Sequence, residues 1–147
     1  MAQGEREHGR FEDPLTEDII GACIEVHRHL GPGLLESTYE LCLTQELGLR
    51  GRRVQPQVPV PVAYKGVWLD CGYRLDLVVE NRVLLELKAV ERLLPIHVAQ
   101  VVTYLKLTKL DVALLVNFNV RVLKDGVRRI THKNSETSLP PGLPVSS

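Results

Sequence analysis

The sequence predicts an α/β fold in which a mixed β-sheet is flanked by α-helices, with two helices before the first strand. Three features lead to this prediction. Apolar residues recur every three or four positions through residues 16–49, which is the helical period. From residue 58 onward they fall into short aliphatic runs divided by turn residues. A further helical segment near residues 95–109 interrupts those runs, and a strand–helix–strand order favours a sheet covered by helices.

Composition limits the chain to one ordinary domain. It has 147 residues, 44% of them hydrophobic, and its 18 Lys and Arg residues are balanced by 18 Asp and Glu residues. This balance provides no long-range positive field, which disfavours tight non-specific DNA binding. Cys23, Cys42 and Cys71 are odd in number and far apart, so neither a disulfide framework nor a zinc knuckle is indicated. We therefore expect a cytoplasmic protein.

The two ends of the chain differ from the middle. Residues 1–13 are polar and charged without periodicity, and residues 134–147 are rich in Ser and Pro. Such segments bury too little apolar surface to fold, so both are predicted to be disordered tails. The ordered domain is predicted over residues 14–133. No apolar run approaches the roughly 20 residues that a membrane span needs, so no membrane partner is expected.

Two helices are predicted at the start of the domain. Thr16 is the expected N-cap of the first helix, which continues to Leu30. The Gly31-Pro32-Gly33 triplet then ends it. The second helix is predicted from about Leu34 to Leu49, where glycines again follow.

Strands are predicted next. Pro59 and Pro61 confine the segment Val58–Val62 to a sheet edge, because proline cannot donate a ladder hydrogen bond. Three aliphatic runs with turn residues between them then predict an antiparallel meander. These runs are Val67–Leu69, Tyr73–Val79 and Val83–Ala89.

A helix from about Pro95 to Lys109 follows and leads into a strand at Val112–Val116, which predicts a crossover connection. Asp125-Gly126 is a strong two-residue turn signal, so Val120–Leu123 and Val127–Thr131 are predicted to form a hairpin. The predicted order is therefore two helices, four strands, one helix and three strands.

Charged residues interrupt the strands that otherwise look buried. Glu86 and Lys88 are two residues apart and share one face of a strand. Asp76 lies on the preceding strand, and a short turn could bring it opposite Glu86. Two close carboxylates resist simultaneous ionisation unless a cation joins them, and oxygen ligands select Mg²⁺ or Mn²⁺. A magnesium-assisted phosphodiesterase site is one interpretation, because a metal and a lysine supply the charge stabilisation that phosphodiester hydrolysis needs.

Simpler interpretations compete with this one. Glu86 and Lys88 could form an exposed ion pair at a sheet edge, which would contribute little to stability. Arg74 shares a face with Asp76 and could contact a phosphate, although an ion pair with Asp76 is the simpler interpretation.

Asp76 followed ten residues later by Glu86-Leu87-Lys88 resembles the D…(E/D)-x-K signature of the PD-(D/E)XK nuclease superfamily. Gln100 and Tyr104, one helical turn apart, resemble the Q-x-x-x-Y element of its exonuclease-like branches. The segment Gly33–Tyr39 matches the G-x-x-E-x-x-Y motif of a family of small bacterial proteins assigned to that superfamily.

The resemblance implies a restriction-endonuclease-like core over residues 14–133 and a metal-dependent nuclease, with DNA as the expected substrate. It implies that Asp76, Glu86 and Glu36 are metal ligands and that Lys88 is a catalytic base or electrostatic stabiliser. Gln100, Tyr104 and Arg74 are the candidate substrate-binding residues, and Mg²⁺ or Mn²⁺ is the expected cofactor. Leu75 stands where the signature has proline.

Several motif residues also have structural interpretations. A carboxylate at Glu36 would favour a helix N-terminus even without a ligand, and Tyr39 would suit a core aromatic. Gln100 and Tyr104 could be partly buried polar residues of an amphipathic helix. The histidines at 27, 29 and 97 have no supporting partners and are given no ligand role.

Two other functions remain open at this stage. One is a catalytically silent module that binds nucleic acid or protein and has kept the nuclease fold. The other is a subunit that needs a partner chain, or a homodimer, which a small domain with a proline-bearing edge strand could form.

Overall fold

Residues 13–133 are described by the computed structural model, and they form three helices, two sheets and a short 3-10 turn. The elements in chain order are α1 (Pro14–Leu30), α2 (Glu36–Leu49), β1 (Val54–Pro59), β2 (Val62–Tyr64), β3 (Val67–Leu69), β4 (Arg74–Val79), β5 (Val83–Lys88), α3 (Pro95–Thr108), β6 (Val112–Asn117), the 3-10 turn (Leu123–Gly126) and β7 (Val127–Thr131). The predicted tails lie outside these residues, apart from Asp13. No helix within residues 13–133 is long and apolar enough to cross a membrane.

The larger sheet has five strands in the order β1-β4-β5-β6-β7. β5 and β6 are parallel and are connected through α3, whereas the other neighbours are antiparallel. The sheet is therefore mixed, and the crossover predicted from the position of α3 is present. A mixed α/β fold with two helices before the sheet is confirmed and is consistent with a restriction-endonuclease-like core.

The two faces of the sheet pack against different helices. Leu85 and Leu87 of β5 belong to the core that contains the buried residues of α1 and α2. Leu84 belongs to a second core, which contains the buried residues of α3. Because side chains alternate along a strand, Glu86 and Lys88 lie on the same face as Leu84. Strand parity thus turns both charged residues toward the α3 side of the central strand.

The first helix is capped by Asp13, so the prediction of Thr16 as N-cap is wrong. Asp13 Oδ1 accepts a hydrogen bond from the amide of Leu15 over 3.1 Å, and Pro14 occupies the first helical position. Thr16 is instead buried in the first turn, where its hydroxyl donates to Asp13 Oδ2 over 3.1 Å. Proline is favoured at the first position because its missing N–H would have no partner there. The second helix is confirmed, but it begins at Glu36.

The predicted meander is only partly correct. β4 and β5 pair antiparallel as expected, but β3 pairs with β2 in a separate two-stranded sheet. Lys65 and Gly66 have φ values of 49° and 81°, so they form a tight turn that closes β3 onto β2. The predicted proline-bearing edge is only partly confirmed: Val58 and Pro59 end β1, which begins earlier than predicted, at Val54, whereas Pro61 lies between strands and Val62 begins β2.

The predicted hairpin between Val120–Leu123 and Val127–Thr131 is wrong. Residues Leu123–Gly126 form a 3-10 turn, and β7 pairs with β6 instead. Leu123 is buried in the core, and the carbonyl of Val120 accepts a hydrogen bond from His27 Nε2 over 2.8 Å, so this segment is anchored to α1. Gly126 is required for space, because a Cβ atom there would overlap the carbonyl oxygen of Asn117.

Candidate active site

Asp76 and Glu86 lie opposite each other on β4 and β5, where the regular ladder between these strands ends. Leu77 pairs with Leu85. Beyond that pair, backbone amides donate to side-chain carboxylates and not to backbone carbonyls. The amide of Asp76 donates to Glu86 Oε2 over 3.0 Å, and the amide of Leu87 donates to Asp76 Oδ2 over 2.7 Å. These reciprocal bonds hold the carboxylate of each acid against the backbone of the opposite strand, so the two acids are neighbours.

Burial and repulsion make this pair costly to ionise. Glu86 is 5% exposed. Its burial raises the pKa of its carboxyl group, and the charge of Asp76 raises it further. Burial likewise raises the pKa of Asp76, and the carboxylates of Glu40 and Glu36 add to that shift. The charge of Lys88 lowers both pKa values but does not reverse the direction. A nearby cation would therefore favour the doubly ionised pair.

One oxygen of each carboxylate is free. Within residues 13–133, no hydrogen bond engages Asp76 Oδ1 or Glu86 Oε1. The only fully buried side-chain nitrogen or oxygen in this range without a partner is Arg129 Nε, so neither free oxygen is sealed from solvent. Carboxylate oxygens are the ligands that Mg²⁺ and Mn²⁺ prefer. The residues present therefore fit a hard divalent cation.

The arrangement does not form a closed metal cage. No group of three or more His, Cys, Asp or Glu side chains among residues 13–133 is placed to hold a metal ion by itself. Mg²⁺ rarely needs such a cage, because it is usually bound by one or two carboxylates and completes its shell with water and substrate phosphate. A two-carboxylate site at Asp76 and Glu86 is compatible with this mode of Mg²⁺ coordination.

Lys88 ends β5 on the same face as Glu86. It takes part in none of the ion pairs within 4 Å that the described residues form. The interpretation of Glu86 and Lys88 as an exposed ion pair at a sheet edge is therefore wrong. Glu86 is buried, and β5 is the central strand of the five. Lys88 leaves its ammonium available to another anion.

Glu36 brings the N-terminus of α2 to the end of β5. Its Oε2 accepts a hydrogen bond from the amide of Ala89 over 3.2 Å, directly after Lys88. Its charge contributes to the raised pKa values of Asp76 and Glu86, which places it within electrostatic reach of both. Glu36 is exposed and makes no hydrogen bond to either acid of the pair.

Tyr39 is a core aromatic, as its structural interpretation held. Its hydroxyl donates to the carbonyl of Gly31 over 2.6 Å and accepts from the amide of Leu34 over 3.1 Å. Its ring stacks on Phe118 with centroids 4.4 Å apart, and the amide of Phe118 donates to the carbonyl of Lys88 over 2.8 Å. Tyr39 thus fixes the turn before α2 against the segment that follows Lys88.

A cleft of about 630 Å³ lies between α3 and the small sheet, with Lys88 in its wall. Gln100 and Tyr104 line the same cleft, so three of the residues singled out in the sequence meet there. Burial raises the pKa of Tyr104, and the charges of Glu86 and Asp76 add to this shift, so the cleft reaches the acid pair electrostatically. The lining residues are Val62, Tyr73, Lys88, Ile96, His97, Gln100, Thr103, Tyr104 and Leu107.

Comparison with known families gives a match. A family model described as the PD-(D/E)XK nuclease superfamily matches residues 13–130, which is most of the 147-residue chain. The chain belongs to the PD-(D/E)XK nuclease superfamily. No curated protein and no solved structure gave a significant match. Membership supports nuclease activity at the level of the superfamily.

Arg74 does not pair with Asp76 in this PD-(D/E)XK chain, so that prediction is wrong. Its guanidinium lies 3.5 Å from Asp70 Oδ1 and donates to the carbonyl of Tyr73 over 2.9 Å. Asp70 lies four residues earlier, where the chain turns at Gly72. Arg74 therefore interacts with this nearby carboxylate and not with Asp76. Arg74 is exposed and does not line the cleft.

Asn117 supports the site and was given no role by sequence reasoning. It is buried and lies beside Lys88 in the parallel pairing of β5 and β6. Its Oδ1 accepts from the amides of Val90 and Asn119 over 3.1 Å each, and its Nδ2 donates to the carbonyl of Val90 over 3.0 Å. Asn117 thus fixes the chain just after Lys88. An asparagine that ends an otherwise aliphatic strand was the available signal.

Glu40 is a second residue that sequence reasoning missed. It follows Glu36 by one helical turn, and that spacing was the available signal. Its two carboxylate oxygens accept from Gln57 Nε2 over 2.9 and 3.0 Å, and its charge raises the pKa of Asp76. Gln57 has a φ of 53° and leaves a gap in the β1–β4 pairing opposite Asp76.

The three histidines have separate partners. His27 contacts the carbonyl of Val120, and His29 Nδ1 lies 3.0 Å from the carbonyl of Glu25. His97 lines the cleft, and its Nδ1 accepts from the amide of Leu94 over 2.9 Å at the start of α3.

Proposed function

We propose that this protein is a divalent-metal-dependent nuclease that hydrolyses phosphodiester bonds, with DNA as its expected substrate. The observation that carries the proposal is the reciprocal bonding of Asp76 and Glu86, which holds two carboxylates together on a largely buried strand pair. Neither acid has an ion-pair partner within 4 Å among the described residues. Two unpaired, desolvated carboxylates are costly for a structural role and suited to a cation.

Asp76 and Glu86 would hold Mg²⁺ or Mn²⁺, and Glu36, which does not complete a three-residue cage with them, would be an accessory ligand acting through water. A cation bound there supplies charge neutralisation on the phosphate and activation of water at neutral pH. Lys88 stands two residues from Glu86 on the same face, where its ammonium orients the attacking water or stabilises charge on the phosphate. The roles are complementary because Lys88 is not occupied by either acid.

Gln100 and Tyr104 contact the substrate from the cleft, since both line it beside Lys88. Arg74 contacts a phosphate outside the cleft, because its guanidinium is exposed and the one carboxylate paired with it among the described residues is Asp70, at 3.5 Å. An exonuclease-like action fits these contacts, in which one strand end enters beside Lys88.

The second candidate function is a catalytically silent module that binds nucleic acid or protein. The balanced charge of the chain, with 18 basic and 18 acidic residues, supports it, because a nuclease gains from a field that collects its substrate. The two candidates differ in turnover, so an activity measurement separates them.

The test is incubation of the purified protein with linear, circular and single-stranded DNA and with RNA, in Mg²⁺, Mn²⁺ or EDTA. The proposal expects cleavage with either metal and none with EDTA. Cleavage of linear but not circular DNA would identify an exonuclease.

Glu86→Gln and Glu17→Gln form a matched pair for this test. Each removes one carboxylate, but Glu17 is exposed in the first turn of α1, on an element that contributes no residue to the cleft. We expect Glu86→Gln to abolish cleavage and Glu17→Gln to retain it. Equal cleavage by both variants would show that the activity does not come from this site.

A further inference from the structure

We propose that the cleft beside Lys88 binds an unpaired nucleotide, so that the protein acts on single-stranded nucleic acid or on frayed ends and not within an intact duplex. This inference rests on the proposed nuclease function and names the substrate class of the same site. Four properties of the cleft carry it: an aromatic wall, an apolar rim, hydrogen-bonding groups and its position beside the acid pair.

The aromatic wall is formed by Tyr73 and Tyr104. Their rings meet edge to face, with centroids 6.2 Å apart and planes inclined by 61°. Tyr104 is buried and belongs to the α3 core, so it holds one edge of the pair in place. Tyr73 is 47% exposed and lines the cleft. An aromatic ring that is braced by a buried neighbour but remains half exposed suits stacking with a base.

Apolar side chains extend this wall. Val62 of the small sheet and Ile96 in the first turn of α3 line the cleft from two sides. Ile96 is 67% exposed, so a large aliphatic group faces solvent beside the aromatic pair. Burial against the flat face of a ligand would remove this apolar surface from water.

Polar groups lie among these apolar walls. The amide of Gln100 and the hydroxyl of Thr103 line the cleft, and neither has a hydrogen-bond partner among the described residues. His97 uses Nδ1 to accept from the amide of Leu94, which leaves Nε2 for another group. A nucleobase combines a π-face with donors and acceptors along its edge. In a duplex the faces of a base are stacked and its edge is paired, so only an unpaired base can offer both its face and its edge to the cleft.

Position links the cleft to the chemistry. Lys88 is a wall residue, and Tyr104 is near enough to Asp76 and Glu86 for their charges to raise its pKa. A base against Tyr73 would therefore bring its own phosphate toward Lys88 and the acids. The volume of about 630 Å³ is within the range of small-ligand sites and accommodates a nucleotide. The neutral net charge of the chain also favours recognition through stacking over collection of duplex by charge.

Binding measured without turnover tests the inference. All variants are made in the Glu86→Gln background and kept in EDTA, and anisotropy is read from labelled oligothymidylate and oligouridylate of about ten nucleotides and from a blunt hairpin duplex. We expect clearly tighter binding of the single strands than of the duplex. The affinities for oligothymidylate and oligouridylate show whether the unpaired nucleotide is taken from DNA or from RNA.

Tyr73→Leu removes the ring but keeps an apolar side chain, and we expect it to weaken single-strand binding roughly tenfold. Tyr73→Phe keeps the ring and should restore most of the affinity. Tyr64→Leu is the matched control: Tyr64 is also an exposed tyrosine, at 60%, but it lies outside the cleft with Lys65 Nζ over its ring at 5.4 Å. We expect Tyr64→Leu to change affinity less than twofold.

A fluorescent base gives a second readout. 2-Aminopurine placed at successive positions of the single strand should show one position with strongly changed fluorescence, and Tyr73→Leu should remove that change. Equal affinity for single strand and duplex, or equal effects of Tyr73→Leu and Tyr64→Leu, would overturn the inference. If the unmutated protein cleaved no nucleic acid, that result would count against the nuclease proposal instead. The binding assay would be unaffected, because it requires no turnover.

Discussion

The amide of Asp76 donates to the side chain of Glu86 over 3.0 Å, so the backbone of one acid is bonded to the carboxylate of the other. The bond fixes Glu86 Oε2 and leaves Oε1 free. A glutamine can accept the same hydrogen bond without carrying charge, whereas an aliphatic residue cannot. The pair therefore allows charge and hydrogen bonding to be tested separately.

Glu86→Gln should abolish cleavage without destabilising the protein, because it keeps an acceptor for Asp76 N–H and removes a buried charge. Glu86→Leu should also abolish cleavage but lower the free energy of unfolding by about 1–3 kcal/mol, because that amide loses its partner. Chemical denaturation of both variants in EDTA measures the difference. Equal stability of the two variants would show that the Asp76–Glu86 bond contributes little.

Stability of the metal-free protein should fall as the pH rises. The pKa values of Asp76 and Glu86 are raised in the native state above the ordinary 3.8 and 4.5. Between those ordinary values and the raised ones, the native state holds protons that the unfolded state has released. The free energy of unfolding therefore decreases through that window as the pH increases.

Thermal unfolding in EDTA at a series of pH values from about 4 to about 8 measures this dependence. The slope should become shallower in Glu86→Gln and in the presence of Mg²⁺, since each removes the cost of a doubly ionised pair. A metal-free protein that gained stability toward pH 8 would contradict the direction of these pKa shifts.

Lys88→Met should reduce turnover by about 10²–10³-fold while leaving metal binding intact, because the ammonium is not one of the proposed metal ligands and acts on the phosphate or the water. Lys124→Met is the matched control, since Lys124 is exposed in the 3-10 turn. Single-turnover cleavage rates and the Mg²⁺-induced shift in melting temperature are measured on both. If Lys88→Met lost the metal-induced shift together with turnover, the lysine would be needed for assembly of the site.

Asn117→Leu should lower both stability and activity, because Val90, just after Lys88, would lose two hydrogen bonds and Asn119, just after β6, would lose one. We expect a loss of about 1–3 kcal/mol in the free energy of unfolding. Cleavage rates measured well below the melting temperature separate the two effects. A stable Asn117→Leu variant with full activity would show that this segment does not position Lys88.

Local periodicity was enough to predict the arrangement of the acids on the sheet. Glu86 and Lys88 share a face because strands have a period of two, and Asp76 lies opposite Glu86 because a short turn connects their strands. The start of α3 at Pro95 and the crossover to β6 also followed from local signals. Each of these predictions depended on neighbours in sequence.

The remaining features depend on contacts between distant residues. The 3-10 turn replaces a predicted hairpin because Leu123 joins the core and Val120 is bonded to His27, which lies 93 residues earlier. Glu40 reaches the neighbourhood of Asp76 only through the packing of α2 beside β1, where Gln57 binds it. Composition and spacing do not encode such pairings.

The most direct test of the central claim is the effect of Mg²⁺ on the melting temperature of the unmutated protein and of Glu86→Gln. At a free Mg²⁺ concentration ten times its dissociation constant, a single native-state site adds about 1.4 kcal/mol, which raises the melting temperature by several degrees. We expect this rise for the unmutated protein and its absence in Glu86→Gln. An equal rise in both proteins would show that the cation binds elsewhere and would contradict the assignment of Asp76 and Glu86 as the metal site.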